Sequence, residues 1–231
     1  MATELSIVTE HLAPFQIVSE YAVGGFSTEI VETVLKASGY QYLLEAHPWS
    51  TTYHKAKHLE NTCIYSLAFT PARKAKFRWV GHITKSSSSF YSMASNPIKI
   101  SQLNEAKKYN TAVIKDDVTH QFLLNKGFVE NDNLYVMDSY DSILKLLATP
   151  GRHIDLVVVN NSLIEYLSGK IGTAAKYKNV YMLKDLSLDF YFACSLQTKQ
   201  SVVDDIKQTM ARLEQGGTLS KIRQKWQTNM Q

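Results

Sequence analysis

The alternation of short apolar segments with amphipathic helical segments limits most strongly how this chain can fold. Leu5–Val8 reads as a first strand. Apolar residues then recur at helical spacing between Ile30 and Leu35, after Ser27 or Thr28 as a cap and before Gly39 as a stop. The same alternation continues into the last third of the chain. It predicts an α/β fold with largely parallel sheets.

A polar run, Thr84–Tyr91, separates two similar series of strands and helices. The second series includes a strand at Thr111–Ile114 and a helix at Val118–Asn125, and the chain later forms a long helix from about Gln200. We therefore predict two lobes with a crossover at the polar run. Propensity alone does not tell whether the C-terminal part returns to the first lobe.

Composition and charge exclude several classes of protein. The 231 residues are 45% hydrophobic and 20% charged, which is typical of a globular protein. The net charge of +4 is spread along the chain, so no basic patch predicts nucleic-acid binding. No apolar run approaches the ~20 residues that cross a bilayer. Met1 leads directly into strand-like residues, which fits a cytoplasmic protein and equally a mature domain without its leader.

Two cysteines, Cys63 and Cys194, both lie in apolar, strand-like segments. Cysteine in such a context behaves as a small buried hydrophobic residue, and we predict free, buried thiols. The alternative is a single disulfide in an oxidising compartment.

Six short motifs follow one another along nearly the whole chain. They are Ala13-Pro14-Phe15, Gly25-Phe26 followed by Glu29, Pro48-Trp49, Thr70-Pro71-Ala72-Arg73, Gly151–Asp155 and Gly217–Trp226. Each motif alone is weak, but six in this order are hard to produce by chance. Together they resemble the family 3 extracellular solute-binding proteins, the amino-acid-binding receptors of ABC importers.

The resemblance implies a two-lobed periplasmic binding protein fold of the type II, Venus flytrap kind. Each lobe is expected to be a mostly parallel sheet flanked by helices, and two crossover strands join the lobes. The expected boundaries are 1–86 plus 188–231 for lobe I and 87–187 for lobe II. A hinge would close the lobes around a small ligand in the cleft. The resemblance further implies a periplasmic monomer that lacks its leader, has no cofactor and has an ABC permease as its partner.

Arg73 is the strongest candidate for a ligand contact. It follows a strand end and a Thr-Pro turn, and its planar, permanently charged guanidinium can hold a carboxylate with two hydrogen bonds. The resemblance implies that it grips the ligand's α-carboxylate. Ser66 and Ala68 precede it at the same strand end and are expected to offer a hydroxyl and main-chain groups. The alternative for Arg73 is a surface position beside Lys74.

Aromatic residues and one acid near the strand ends are further candidates. Phe15 and Trp49 and, less strongly, Phe69 and Tyr53 would form walls that pack on the ligand or attract an ammonium group. The alternative is that each ring fills the core of the first lobe. Glu10 could meet a ligand amine, or could simply be solvated.

In the second lobe, Asp117 and Val118 join a strand to a helix, where free amides suit a carboxylate. We favour Asp117 as the helix cap over a ligand contact. Asn160 departs from the family pattern, which implies a carboxylate there to pair with the ligand's α-ammonium. An amide cannot neutralise an ammonium group, and burying that charge alone is costly. Another acid therefore replaces it, or the ligand is not an ordinary amino acid; the candidate acids are Glu10, Asp117, Asp138 and Asp141.

Two other functions remain as alternatives. The same fold serves as a sensory module for a membrane partner, and some of its members are dehydratases, for which Glu165 would be the second-lobe carboxylate. We predict no enzyme, because no nucleophile–base pair stands out and no catalytic residue is assigned. No metal site is predicted either, since His54 and His58 share a helical face without a further ligand and fit a solvated surface.

Overall fold

The computed structural model describes residues 4–171, 176–186 and 188–229. The strands are β1 (Leu5–Thr9), β2 (Ile17–Val18), β3 (Val23–Gly24), β4 (Tyr42–Ala46), β5 (Thr62–Ala68), β6 (Phe77–Ser86), β7 (Ser88–Met93), β8 (Thr111–Ile114), β9 (Leu134–Met137), β10 (Leu156–Asn160), β11 (Tyr177–Met182) and β12 (Leu188–Ser195). The helices are α1 (Phe26–Ser38), α2 (Trp49–His58), α3 (Pro71–Lys74), α4 (Val118–Asn125), α5 (Tyr140–Ala148), α6 (Asn161–Ile171), α7 (Gln200–Gln215) and α8 (Thr218–Asn229), with a 3₁₀ helix at Leu103–Lys108.

These elements form two compact units. Unit 1 runs up to Lys85 and resumes at Asp189, and unit 2 is Ser86–Leu188. Each division lies one residue from the boundary expected from the sequence. Strands β6 and β12 carry the chain across the two divisions, so the C-terminal segment belongs to the same unit as the N-terminal one.

Unit 1 is built on a mixed five-stranded sheet with the order β4-β1-β5-β12-β6. Strand β1 is central to the parallel part, with β4 and β5 on either side, and β12 runs antiparallel to β5. The apolar residues of β1, among them Leu5 and Ile7, are completely buried. The neighbouring residues Ile7 and Val8 point to opposite faces of the sheet and are both buried, so both faces of this strand are covered, as is usual for the parallel part of a sheet. Helices α1, α7 and α8 pack on one another beside this sheet.

The N-cap of helix α1 lies two or three residues before the caps predicted from the sequence. Phe26 is its first residue and Gly25 its N-cap, so the prediction of Ser27 or Thr28 as the cap is wrong. Gly25 has φ +106°, and a Cβ there would lie 2.6 Å from the carbonyl oxygen of Phe15. Only glycine fits this close approach of the loop to the helix. Gly39 ends the helix in the left-handed conformation, as predicted.

Glu29 joins the first helix to the last one. Its carboxylate accepts hydrogen bonds from Lys225 Nζ at 2.9 Å and Trp226 Nε1 at 2.7 Å. Partial burial raises the pKa of Glu29, but the bonds from Lys225 and Trp226 outweigh it and hold the pKa below its ordinary value. Two motifs that lie almost 200 residues apart in the sequence therefore form one polar contact.

Glu29→Gln should lower the free energy of unfolding by about 1 kcal/mol at neutral pH, because charge-assisted bonds are lost at a partly exposed site. The folded-state pKa lies below the unfolded one, so this contribution is present above the ordinary glutamate pKa. It is lost as the pH falls through the folded value. Urea unfolding at neutral and acid pH measures both effects, with exposed Glu20→Gln as the control. A pH-independent difference would contradict this assignment.

Unit 2 contains a second mixed sheet with the order β11-β7-β10-β8-β9. Strands β10, β8 and β9 are parallel, whereas β7 and β11 are antiparallel to their neighbours. Its core is apolar and includes Phe90, Val113, Leu123, Leu134 and Leu156. The strand predicted at Thr111–Ile114 and the helix predicted at Val118–Asn125 are confirmed without a shift.

The polar run Thr84–Tyr91 does not form a loop. Apart from Ser87, it lies in β6 and β7; Ser88 and Ser89 are buried, and Ser86 and Ser87 are partly buried. Asn161 Nδ2 donates to Ser87 Oγ at 2.7 Å, and Asn179 Nδ2 donates to Ser89 Oγ at 2.9 Å. Amide and hydroxyl groups thus satisfy one another inside the sheet, which overrides the loop propensity of a serine run.

The prediction of free thiols is wrong, because Cys63 and Cys194 form a disulfide. The two residues face each other on the antiparallel strands β5 and β12, and both are completely buried. Their sequence context correctly indicated burial, but pairing depended on the register of strands 131 residues apart.

Candidate functional site

The end of β5 in unit 1 is irregular at the position of a predicted site residue. Two residues of β5, Tyr65 and Ser66, stand opposite Phe192 alone in β12, which makes a β-bulge. Ser66 has φ +54°, in the left-handed region that a residue other than glycine seldom adopts. The residue is 6% exposed, and its Oγ has no hydrogen-bond partner among the residues that the structure describes. A strained, buried and unpaired hydroxyl is typical of a functional position.

Arg73 lies in α3, a single turn directly after β5. The residue is 6% exposed, so the surface alternative is wrong. Its Cζ lies 5.3 Å from the ring centroid of Trp49 and 5.0 Å from that of Tyr53. Its Nη1 donates to the carbonyl oxygen of Ala68 at 3.4 Å. The predicted residues Arg73, Ala68 and Trp49 are thus brought together, with Ser66 two residues before Ala68.

The other predicted site residues of unit 1 occupy different surroundings. Phe15 is buried, and its ring contacts Phe26 and Phe190 at 6.4 and 5.4 Å between centroids. This packing is the core alternative for Phe15, and its contact with a ligand stays a prediction. Phe69 is 37% exposed and contacts the rings of Trp79 and Tyr191. Glu10 follows β1 and is largely buried.

In unit 2, Asp117 caps α4, as predicted. Its carboxylate accepts from the backbone N–H of Val118 at 2.6 Å and from Thr119 Oγ1 at 2.9 Å. The N-terminus of α4, which would suit the carboxylate of a ligand, is therefore already capped by the carboxylate of Asp117. Asp116 precedes it with φ +59°, and its N–H donates to His120 Nδ1 at 3.1 Å. Nε2 of His120 lies 2.9 Å from Glu130 Oε1. The imidazole ring therefore connects the turn at Asp116 to Glu130.

Asn160 ends β10 and is 3% exposed. Its Nδ2 donates to Ser86 Oγ at 2.5 Å, and its Oδ1 accepts from the backbone N–H of Ser162 at 2.9 Å. The side chain thus joins the start of α6 to the residue at which the chain enters unit 2. Each atom of the amide has a defined role, and an aspartate could accept from the same two groups.

Tyr65, which precedes Ser66 on β5, is a buried titratable group beside the candidate site. Burial raises the pKa of Tyr65 to about 12, and its hydroxyl lies 2.8 Å from Thr28 Oγ1, so it stays protonated at neutral pH. Glu165, the residue on which a dehydratase would depend, lies exposed on α6. Among the described residues, no group of three or more His, Cys, Asp or Glu side chains is placed to hold a metal ion. No helix in the described ranges is long and apolar enough to cross a membrane.

Sequence patterns did not predict two contacts at these sites. The sequence predicts only a minor role for Tyr53 as a ligand wall, yet its ring lies against the guanidinium of Arg73. The spacing of Trp49 and Tyr53, four residues apart on a helix, was the available signal, because such residues share a face. The contact of His120 with Asp116 and Glu130 had no signal of comparable strength.

Comparison with known proteins decides the family. A sequence model of the bacterial extracellular solute-binding proteins, family 3, matches residues 5–229. The chain belongs to this family. No curated protein matches the chain in a sequence search. The resemblance carried by the six short motifs is therefore confirmed over almost the full length of this solute-binding protein.

Solved structures confirm the periplasmic binding protein fold. A histidine kinase sensor domain with similarity to periplasmic binding proteins has a TM-score of 0.85 at 15% identity, covering 97% of this chain and 96% of its own. The arginine-, lysine-, histidine-binding protein ArtJ from Geobacillus stearothermophilus has a TM-score of 0.81 at 16% identity, and the match covers 97% of this chain and 95% of ArtJ. The glutamate-bound GluR0 ligand-binding core from Nostoc punctiforme has a TM-score of 0.79 at 15% identity, and the match covers 96% of this chain and 98% of that core.

Proposed function

We propose that this solute-binding protein captures a small carboxylate-bearing molecule, an amino acid in the first instance, and delivers it to an ABC importer. Unit 1 binds the carboxylate through Arg73 and Ser66. The protein acts as a monomer in the periplasm and carries out no reaction. Membership of the family and the amino-acid ligands named for two solved structures support the ligand class.

The surroundings of Arg73 are the observation that carries this proposal. Arg73 is 6% exposed, and the two aromatic rings beside its guanidinium hold the donors in a fixed direction. The unpaired Ser66 Oγ, on the bulge just before Ala68, needs a partner in the working protein. A ligand carboxylate fits this pair of residues, because its oxygens can accept from the donors of a guanidinium and from a hydroxyl.

A thermal-shift screen tests the proposal. The purified protein is heated with each L-amino acid and with the matching acid that lacks the α-amine. A ligand present at ~100 times its Kd adds about 2.7 kcal/mol to the stability of the folded state, which raises the Tm visibly. A shift with amino acids supports the proposal. Shifts confined to amine-free acids would change the ligand class, and the absence of any shift would reject it.

Asn160→Asp should strengthen the binding of zwitterionic amino acids by about tenfold, since the carboxylate supplies the missing counter-charge for the ammonium. The same variant should bind amine-free acids less well because of repulsion. Calorimetric titration of both ligand types measures the two changes. Asp132→Asn, an exposed change in the loop before β9, serves as the control. No gain for amino acids would show that the amine is held elsewhere or is absent.

A sensory role is the second candidate, favoured by the histidine kinase sensor domain among the similar structures. Both roles begin with ligand capture and differ in the membrane partner. Uptake of labelled ligand by cells that lack the gene separates them. Lost uptake supports the importer role, whereas normal uptake with a lost transcriptional response supports the sensor.

The disulfide supports the proposed compartment. Disulfides persist in oxidising compartments such as the bacterial periplasm and are rare where thiols are kept reduced. Cys63 and Cys194 are joined to each other, which fits secretion. Alkylation of unreduced cell fractions tests the location: the protein should be found in the periplasmic fraction with neither cysteine modified.

A further inference from the structure

We propose that Tyr53, together with Trp49, is a positioning residue that orients the guanidinium of Arg73 for a carboxylate. This inference rests on the proposed function, in which Arg73 is the carboxylate-binding residue. It assigns Trp49 and Tyr53 a role different from that of ligand walls. The ring faces serve the protein's own cation rather than a ligand ammonium.

The two rings form a frame around the guanidinium. Trp49 and Tyr53 lie one helical turn apart on α2, with 5.8 Å between their ring centroids. Arg73 Cζ is 5.3 and 5.0 Å from these centroids, within the range of a cation–π contact. Phe77 contacts Tyr53 edge-on at 5.5 Å and supports that ring from β6.

A hydrogen bond and the burial of Trp49 restrict the side chain further. Nη1 of Arg73 donates to the carbonyl oxygen of Ala68, so one edge of the guanidinium is tied to the end of β5. Trp49 is only 3% exposed, which leaves its ring little surface for a ligand. A long arginine side chain normally loses rotamer freedom when it binds a ligand. The frame imposes that order before binding, so the carboxylate meets a preorganised fork.

The geometry also explains why arginine is needed here. A planar, delocalised guanidinium stacks on aromatic faces and still directs donors in its plane towards a carboxylate. A lysine ammonium has no plane to align. The frame should therefore improve the binding of carboxylates in particular, and leave neutral ligands of the same shape unaffected.

Two substitutions at Tyr53 separate positioning from general packing. Tyr53→Phe keeps the ring, and Tyr53→Leu removes it; Tyr42→Leu is the control, because Tyr42 is also half-buried but lies on β4 and bonds to Glu32. Each variant is titrated with L-arginine, L-glutamine and L-glutamate and with their α-carboxamides. We expect Tyr53→Leu to weaken carboxylate binding about tenfold, with carboxamide affinity unchanged. Tyr53→Phe and Tyr42→Leu should stay within about twofold of the wild type.

A measurement without ligand tests the frame directly. Protein labelled with ¹⁵N-arginine gives an Nε–Hε signal for Arg73, assigned by its loss in Arg73→Lys. Its heteronuclear NOE should fall in Tyr53→Leu and stay high in Tyr53→Phe. An unchanged NOE, or an equal loss of carboxylate and carboxamide affinity, overturns the inference. If instead Arg73→Ala binds normally, the proposed function fails, and the NOE still decides whether the rings order the side chain.

Discussion

Arg73→Ala should weaken ligand binding by about 100-fold or more while the ligand-free protein still unfolds cooperatively. Removing one partner of a buried, hydrogen-bonded charge pair costs 2–5 kcal/mol, since the ligand carboxylate is left without its counter-charge. A loss of about 3 kcal/mol corresponds to ~150-fold in Kd. Calorimetric titration with the ligand found in the thermal-shift screen measures the change, and the Tm without ligand reports on the fold.

Two further variants show whether the loss belongs to this arginine. Arg73→Lys keeps the charge but not the fork, and it should recover only part of the affinity. Arg78→Ala removes a partly exposed arginine of β6, whose Nε donates to Leu196 O, and it should bind normally. Unchanged affinity in Arg73→Ala would show that the carboxylate is bound elsewhere.

Replacing both Cys63 and Cys194 by alanine should lower the free energy of unfolding by about 2–5 kcal/mol, the second large effect we expect. The bond closes a loop across 131 residues of sequence. In the chain-entropy account, a long closed loop reduces the freedom of the unfolded chain most, and a loop of ~100 residues is worth up to about 4.7 kcal/mol. Urea unfolding with fitted m-values measures the loss and shows whether the unfolded state expands.

Reducing agent provides the matched comparison for the disulfide. The unfolding midpoint of the wild type should fall when the bond is reduced in the unfolded state, whereas the double variant should not respond. Intact mass under non-reducing conditions should be two hydrogens below that of the reduced chain. A wild type that is insensitive to reductant would contradict a stabilising bond between these residues.

Local patterns sufficed to predict much of the fold. The start of β1 at Leu5, the bounds of α4 and the stop of α1 at Gly39 all depend on neighbours a few residues away. Apolar periodicity and the conformational freedom of glycine act over that range. The family resemblance supplied what local patterns lacked, above all the return of the C-terminal segment to unit 1.

The candidate site was predictable only in part. Arg73 and Asp117 could be identified because each follows a strand end, where a short motif sets the turn. Tyr53 could not be linked to Arg73, since α2 and α3 are separate in sequence and only the sheet brings them together. The bulge at Ser66 likewise depends on the register of β12, which joins the sheet from the far end of the chain.

Strand β8, helix α4 and the stop of α1 at Gly39 follow from side chains that are close along the chain, so local patterns were enough to predict them. Three features could be read only from the fold: the bond between Cys63 and Cys194, the position of most of the serine run in strands, and the two rings around Arg73. Those outcomes are set by strand register and by packing between distant segments. Strand register and long-range packing produce no periodic pattern of residues from which they could be predicted.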